Sequence, residues 1–428
     1  MSPVPEGGRT VGVLSGRIVG VDVARCLALA FMMSVHIIGR DTTGVPGLVR
    51  DIGGGRASAL FAVLAGVSLA LMTGRQQPPS GDALRAARWS VVGRAAVIGS
   101  IGLSLGLLGS GAAVILVNYA ALFVVACLFL GLRARPLTLL AAGWLVLSPV
   151  AGHLLRPIVR PGPGRVQSWL SLGDPVQFLS HLFLTGYYPV LQWTAYVLAG
   201  LAIGRSAALS LASSRDGASR EGATHDGSSR EGATRLLALG AVLAGGAQAL
   251  SGLLLDTAGG REHLLVPPGS PVFGLPLAEV LVNSMYGTTP TTTWWWLAAA
   301  APHSATPLDL LHTTGTALLV LGACLLALPA VRRTRAGAAV LFPVVSAGAM
   351  TLTLYTLHVV ALAETRGYPE VAVAVAQAPG RGWLTHVVVA LLLATLWRGT
   401  ALRLGATGRG PLEAAATSVG RSLSASMS

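Results

Sequence analysis

Lysine is absent from this 428-residue chain, whose thirty basic residues are all arginine, and charged residues of both signs make up only 11% of it. A soluble globular chain carries roughly 25%. So little charge beside 53% apolar residues excludes an ordinary soluble domain. Cysteine is equally scarce: Cys26, Cys127 and Cys324 are odd in number, lie inside apolar runs and show no framework spacing, which excludes a disulfide scaffold and reads as packing. No Walker loop, no glycine fingerprint after a strand, no HExxH and no GxSxG element occurs, so the common soluble chemistries lack their signatures. The net charge of +13 suggests nucleic acid. The arginines, however, are scattered through short connections and form no patch or arm, so no nucleic-acid partner is expected. No small-residue cleavage signal follows the first apolar run, and an uncleaved first helix is expected.

What the chain has is long apolar runs punctuated by Arg, Pro and Gly. They predict an all-α, polytopic membrane helix bundle of about ten transmembrane helices, near 20–39, 56–73, 87–108, 112–131, 136–155, 185–204, 235–255, 308–330, 337–362 and 383–403. With a cytoplasmic N-terminus, twenty-one arginines fall inside and nine outside, the sense of the positive-inside rule. Both termini are then cytoplasmic, and a multi-pass protein of the cell (plasma) membrane is expected, with lipid as its first partner. The predicted units are a tail over 1–19, a six-helix half over 20–205, a disordered linker over 206–234 containing SREGAT twice, a four-helix half over 235–405 with a large outer loop at 257–307, and a cytoplasmic tail over 406–428. Trp294 to Trp296 in that loop are expected at headgroup level.

One stretch orders the ionisable groups. Residues 17–36 read RIVGVDVARCLALAFMMSVH, an apolar helix with Arg17, Asp22 and Arg25 at one end and His36 at the other. Steps of three and four from Asp22 through Arg25, Leu29 and Met33 to His36 share one face, and fourteen residues separate the ends by roughly 21 Å. The inner end reads as a site for an anionic, phosphate-bearing ligand held by Arg17, Arg25, Arg85 and Arg88, or as an Asp22–Arg25 pair with snorkelling arginines. Eight of the nine histidines fall at the outer side, where acid/base chemistry is therefore expected. Thr306, Pro307 and Asp309 have the spacing of a capping box, and His312, one turn beyond Asp309, lies where a carboxylate can orient its imidazole. Thr351, Tyr355 and His358 share another helix face. Gly66 and Ser68 permit the second helix to pack closely on a neighbour. No two histidines stand at i and i+4, so no metal is expected.

These residues carry a resemblance. R-x-V-G-V-D-V-A-R with its apolar run to V-H, G-R-A-S-A-L-F-A-V-L-A-G-V-S-L-A-L from Gly55, T-G-Y-Y-P-V-L-Q-W at Thr185 to Trp193, P-H-S-x-T-P-x-D-L-L-H-T-T-G at Pro302 to Gly315 and T-L-Y-T-L-H at Thr353 to His358 resemble the heparan-alpha-glucosaminide N-acetyltransferase-like and YeiB-like membrane proteins. The resemblance implies a transmembrane acyltransferase. Acetyl-CoA (acyl-CoA) is the donor on the cytosolic side, and an amine or hydroxyl of an extracytoplasmic glycan or glycolipid is the acceptor. The family's catalytic histidine lies in the loop after the first helix; residues 37–55 hold none here, and His36 takes the role by position and chemistry. His312, His358 and Asp309 complete the catalytic set, and Arg17, Asp22, Arg25, Arg85 and Arg88 the donor site. All-arginine usage reads as the codon bias of a GC-rich, bacterial genome, which disfavours heparan sulfate itself as acceptor. A proton-coupled exporter and a non-catalytic membrane scaffold are the competing classes, and a homo-oligomer is among the states left open.

Overall fold

The computed structural model describes residues 18–160, 166–206, 209, 224–268, 273–282 and 285–427. It is helical, with no strand among the described residues. Val19–Ile37 forms α1, Gly44–Gly53 α2, Arg56–Met72 α3, Gly81–Leu105 α4, Leu116–Ala126 α5, Ala134–Leu155 α6 and Val190–Arg205 α7. Thr224–Gly252 follows as α8, Pro307–Arg332 as α9, Arg335–Gly348 as α10, Thr351–Gly367 as α11, Pro379–Arg403 as α12 and Pro411–Met427 as α13.

Each of the ten expected segments overlaps a helix, yet among the described residues six stretches are long and apolar enough to cross a membrane: Val19–Ile37, Gly44–Met72, Ala134–Ile158, Arg230–Thr257, Pro307–Arg332 and Pro379–Arg403. α10 and α11 make a seventh only as a pair bent by 76°. The difference from ten has local causes. α5 has 11 residues and α7 has 16, fewer than the ~20 that a hydrocarbon core requires. α4 is long enough but carries Asp82, Arg85, Arg88 and Arg94. Large apolar side chains left uncovered on α6, α8 and α12, such as Leu139, Val242 and Leu396, form the surface that lipid would cover. All three cysteines are buried and free, in keeping with packing roles.

The bundle closes through small residues. α3 crosses α7 at Gly66 and Gly200, each of which faces the other helix's backbone; α8 crosses α9 at Gly240 and Gly315. Without a hydrophobic force between helices in lipid, such close approach supplies the dispersion contacts that hold them together. Around the first crossing Leu64, Leu69, Leu198 and Leu201 are fully buried.

Two features shape the C-terminal half. The helix expected over 337–362 is broken at Ala349 and Met350, and the stretch expected as a cytoplasmic tail carries α13, packed on α4 with Gly420 against Gly93. The two features are connected. Glu413 of α13 accepts hydrogen bonds from the backbone N–H of Leu352 (2.7 Å) and Thr353 (3.2 Å) and from the Thr353 hydroxyl (2.6 Å). It thus caps α11 from another helix, satisfying donors that a helix start leaves open. Glu413→Ala should therefore cost about 1–3 kcal/mol, the penalty for orphaned buried donors. Thermal unfolding in nanodiscs checks this, and an unchanged melting temperature would reject the cap.

The linker expected over 206–234 is helical from Thr224, where α8 begins; most of its remainder lies outside the described residues. The segment between α8 and α9 has a small core of its own, built on Leu255, Leu264, Val280, Met285 and Trp296. Trp296 is fully buried and donates its indole N–H to the Leu265 carbonyl (3.1 Å), whereas Trp294 stays 55% exposed. Its burial makes Trp296 the centre of this cap.

Candidate active site

A cavity of about 1620 Å³ opens beneath that cap and descends to Met32, one turn below His36 on α1. His36 sits in the last turn of α1, half-buried, on the cavity wall. α1 then gives way to α2, and the next turn brings Gly53 against the Phe31 carbonyl, where a Cβ would stand 2.8 Å from that oxygen. Gly55 follows at φ +72 against Pro302 and His303, a backbone that favours glycine. This tight turn delivers Arg56, first residue of α3, to the cavity edge.

The opposite wall is built from two motifs, one just before α7 and one just before α9. Tyr187 and Tyr188 precede α7, and the Asn118 amide holds the Tyr188 carbonyl at 2.8 Å. The His303 ring lies 4.7 Å from that of Tyr187 and 5.8 Å from that of Tyr188. His303 (φ 58) and Ala305 (φ 53) both adopt the left-handed region, which is costly for residues with a Cβ and is found where surrounding structure imposes it. Here Met285 N–H donates to the Pro302 carbonyl and Gly287 N–H to the His303 carbonyl, both at 3.0 Å, so the segment between α8 and α9 pins the turn. Burial, with the Arg40 guanidinium adding to it, lowers the His303 pKa to about 4, which keeps this imidazole neutral. His181, also on the cavity, is lowered by burial as well.

The Thr306 N-cap read from the sequence is present, with the returning bond of Asp309 one residue before the place a capping box gives it. The Thr306 hydroxyl accepts from Asp309 N–H (3.1 Å), and the Asp309 carboxylate accepts from Ala305 N–H (3.0 Å). That carboxylate is therefore turned back to the helix start and does not orient His312. His312 has other partners: Nδ1 lies 3.0 Å from the Ala244 carbonyl, and Nε2 receives the Arg56 Nε–H at 3.1 Å. A carbonyl only accepts and a guanidinium only donates, so this imidazole is the neutral Nδ1–H tautomer with both nitrogens engaged. Its site is the α3–α8–α9 contact, away from the cavity lining. His358, by contrast, is brought to His36: Nδ1 of His36 and Nε2 of His358 are 3.1 Å apart. His386 completes this group from α12. Sequence spacing gave no hint of it, since its neighbours are 28 and 350 positions away.

The charges around the cavity are mainly positive. Arg40 stands over the Tyr286 ring, 5.3 Å from its centroid, Arg50 pairs with Asp51 (2.7 Å), and Arg156 donates to the Thr289 carbonyl (2.7 Å), tying the α8–α9 segment to the end of α6. The expected donor-site residues lie elsewhere and are engaged locally. Arg25 pairs with the buried Asp22 at 2.9 Å and contacts the Ser68 hydroxyl; Arg85 pairs with Asp82; Arg88 donates to the Cys127 carbonyl at 2.9 Å. Arg17 lies outside the described residues.

Residues 17–225 match the family model described as heparan-alpha-glucosaminide N-acetyltransferase, catalytic. This stretch, 209 of the 428 residues, is similar to that family. The matched stretch supplies α1 to α7, and with them His36, Arg56 and the Tyr187–Tyr188 wall; His303, His312, His358 and His386 come from beyond it. The heparan-alpha-glucosaminide N-acetyltransferase match thus covers the His36 and Arg56 wall and the tyrosines of the opposite wall, to which the second half of the chain adds His303. No curated protein and no solved structure matches the chain.

Proposed function

We propose that this protein is an integral membrane acyltransferase that moves an acetyl or related acyl group from cytosolic acyl-CoA to an extracytoplasmic sugar or glycolipid. The observation that carries the reading is a histidine, His36, on the wall of a large, arginine-lined cavity in the stretch that matches an N-acetyltransferase catalytic family. His36 acts as general base on the acceptor's amine or hydroxyl, or carries the acyl group briefly as a nucleophile. Tyr187, Tyr188 and neutral His303 offer a ring wall of the kind that sugars lie against. Arg40, Arg50 and Arg156 suit an acceptor bearing phosphate or carboxylate groups.

At the inner end, the arginines of α1 and α4 serve the anionic part of CoA. Arg85 is the direct test, because it is exposed and its Asp82 partner lies one turn away on the same helix. Arg85→Ala should weaken acetyl-CoA binding roughly tenfold without lowering the melting temperature, since a hydrogen bond to a charged group contributes about 1.5–3 kcal/mol. Calorimetry on the nanodisc protein reads this, and an unchanged Kd would remove Arg85 from the donor site.

The deciding experiment is CoA release from acetyl-CoA by the purified protein in nanodiscs, with and without glucosamine. Release that rises with acceptor supports the transferase. No release, together with no acetyl-CoA-dependent rise in melting temperature, rejects it. The run of histidines at His36 also suits a proton-coupled exporter, which would instead show flux that follows the pH gradient and releases no CoA.

A further inference from the structure

His36 is the first member of a chain of three imidazoles. Its Nδ1 lies 3.1 Å from Nε2 of His358, and Nδ1 of His358 lies 2.9 Å from Nδ1 of His386. The first two rings are within 11° of one plane with centroids 5.3 Å apart, so nitrogen points at nitrogen; the third ring stands at 86° to the second, 4.9 Å away. Three helices, α1, α11 and α12, each contribute one ring. His358 is 3% exposed and spends both nitrogens on its neighbours. His36 and His386 each keep Nε2, and the His386 ring is half-buried two turns into α12.

A neutral imidazole has one donor and one acceptor. In a chain of three, each contact must pair an N–H with a bare nitrogen, so the tautomer of any ring dictates the other two. His312 shows the alternative in the same protein, where the Ala244 carbonyl fixes the tautomer and nothing is coupled. A protonated ring held between helices would also be a charge away from water, which is costly. A chain that passes the proton on avoids it.

We propose that His358 and His386 are positioning residues that hold His36 with its Nε2 bare and carry away the proton that Nε2 takes from the acceptor. This rests on the acyl-transfer reading of His36. At rest, His36 Nδ1–H donates to His358 Nε2, His358 Nδ1–H donates to His386 Nδ1, and His386 carries its proton on Nε2. As the acceptor's nitrogen or oxygen attacks the acyl carbon, its proton moves to His36 Nε2. The His36 Nδ1 proton moves to His358, the His358 Nδ1 proton to His386, and the His386 Nε2 proton to water. The new bond joins acceptor and acyl carbon; the carbon–sulfur bond breaks, and the CoA thiolate leaves with the electron pair and takes a proton from water on its own side. Every ring gains and loses one proton, so no charge stays between the helices. Return of the rings to their first tautomer readies the next turnover.

The test uses the full-length protein in nanodiscs, labelled with ¹⁵N-histidine, as wild type, His386→Asn and His386→Gln. Coupling predicts that both substitutions shift the ¹⁵N resonances of His36 between bare and protonated positions, although His36 itself is untouched. CoA-release kinetics should show kcat lowered about tenfold, a part of the 10²–10⁴ that a general base supplies, with the KM for acetyl-CoA unchanged and partial rescue by free imidazole. Unmoved His36 resonances overturn the chain whatever happens to kcat. Moved resonances with wild-type kcat in both variants overturn the proton-carrying role. Failure of the transferase reading itself appears elsewhere, as no CoA release by the wild type with or without acceptor, while the His36 resonances report the chain without turnover, so the two ideas fail separately.

Discussion

Replacing His36 with glutamine removes acyl transfer and leaves the protein folded: CoA release with acceptor falls by about 10²–10⁴, the share of rate that a positioned general base provides. Glutamine separates two effects that alanine confounds. His36 lines the cavity and also satisfies Nε2 of the buried His358. His36→Ala leaves that nitrogen without its partner, which costs about 1–3 kcal/mol. His36→Gln keeps a polar group within reach of it but cannot take up a proton near neutral pH. The expected order of melting temperatures is therefore wild type, then glutamine, then alanine, while turnover is lost in both variants. Stability lost by 1–3 kcal/mol removes little folded protein from a stable bundle; a rate lost by three orders of magnitude does not arise that way. CoA release normalised to folded protein decides the matter, and wild-type turnover in His36→Gln would end the assignment.

Features that lie along one helix were legible in the sequence. The stripe from Asp22 to His36 is a single helix, α1, with the Asp22–Arg25 pair near its N-terminal end. Thr306, Pro307 and Asp309 form the helix start that their spacing describes. Asp309 also shows where such reading stops. Spacing places its carboxylate on the face of His312, but helical side chains lean toward the N-terminus. The open N–H of Ala305 lies in that direction, and the carboxylate goes there. Contacts between helices left weaker traces or none. Gly66 announced a close crossing without naming Gly200 as its partner. His386 looked like one more outer histidine, because only the packing of α12 on α1, seen also in the Trp383 indole bonded to the Ala30 carbonyl, brings it to His358. The break between α10 and α11 has no proline at it; its cap, Glu413, arrives from about sixty residues downstream.

A side chain of any size at Gly66 or Gly200 should prevent the bundle from closing, and with it the active site. A Cβ added at Gly66 would lie 2.2 Å from the Val197 carbonyl oxygen, and one at Gly200 2.0 Å from the Val63 carbonyl oxygen. Both obstacles are backbone, so no rotamer change relieves them; α3 and α7 must move apart. Overpacking of a core costs about 1–3 kcal/mol where side chains can yield, and this crossing offers no such relief, so Gly200→Ala should fall at the upper end and Gly200→Val beyond it. Gly143 on α6 is the control, since nothing lies within 4 Å of a Cβ placed there. Gly143→Ala should be neutral or stabilising by up to ~1 kcal/mol, the difference in helix propensity. The effect on function follows from what each helix carries. α3 begins with Arg56, which engages His312, and α7 follows directly on the Tyr187–Tyr188 wall. Moving the helices apart shifts those two walls of the site relative to each other, so turnover per folded molecule should drop in Gly200→Ala and not in Gly143→Ala. Melting curves and CoA release in the same nanodiscs compare them. Equal melting temperatures for the two alanine variants would show that this crossing does not set the spacing of the site.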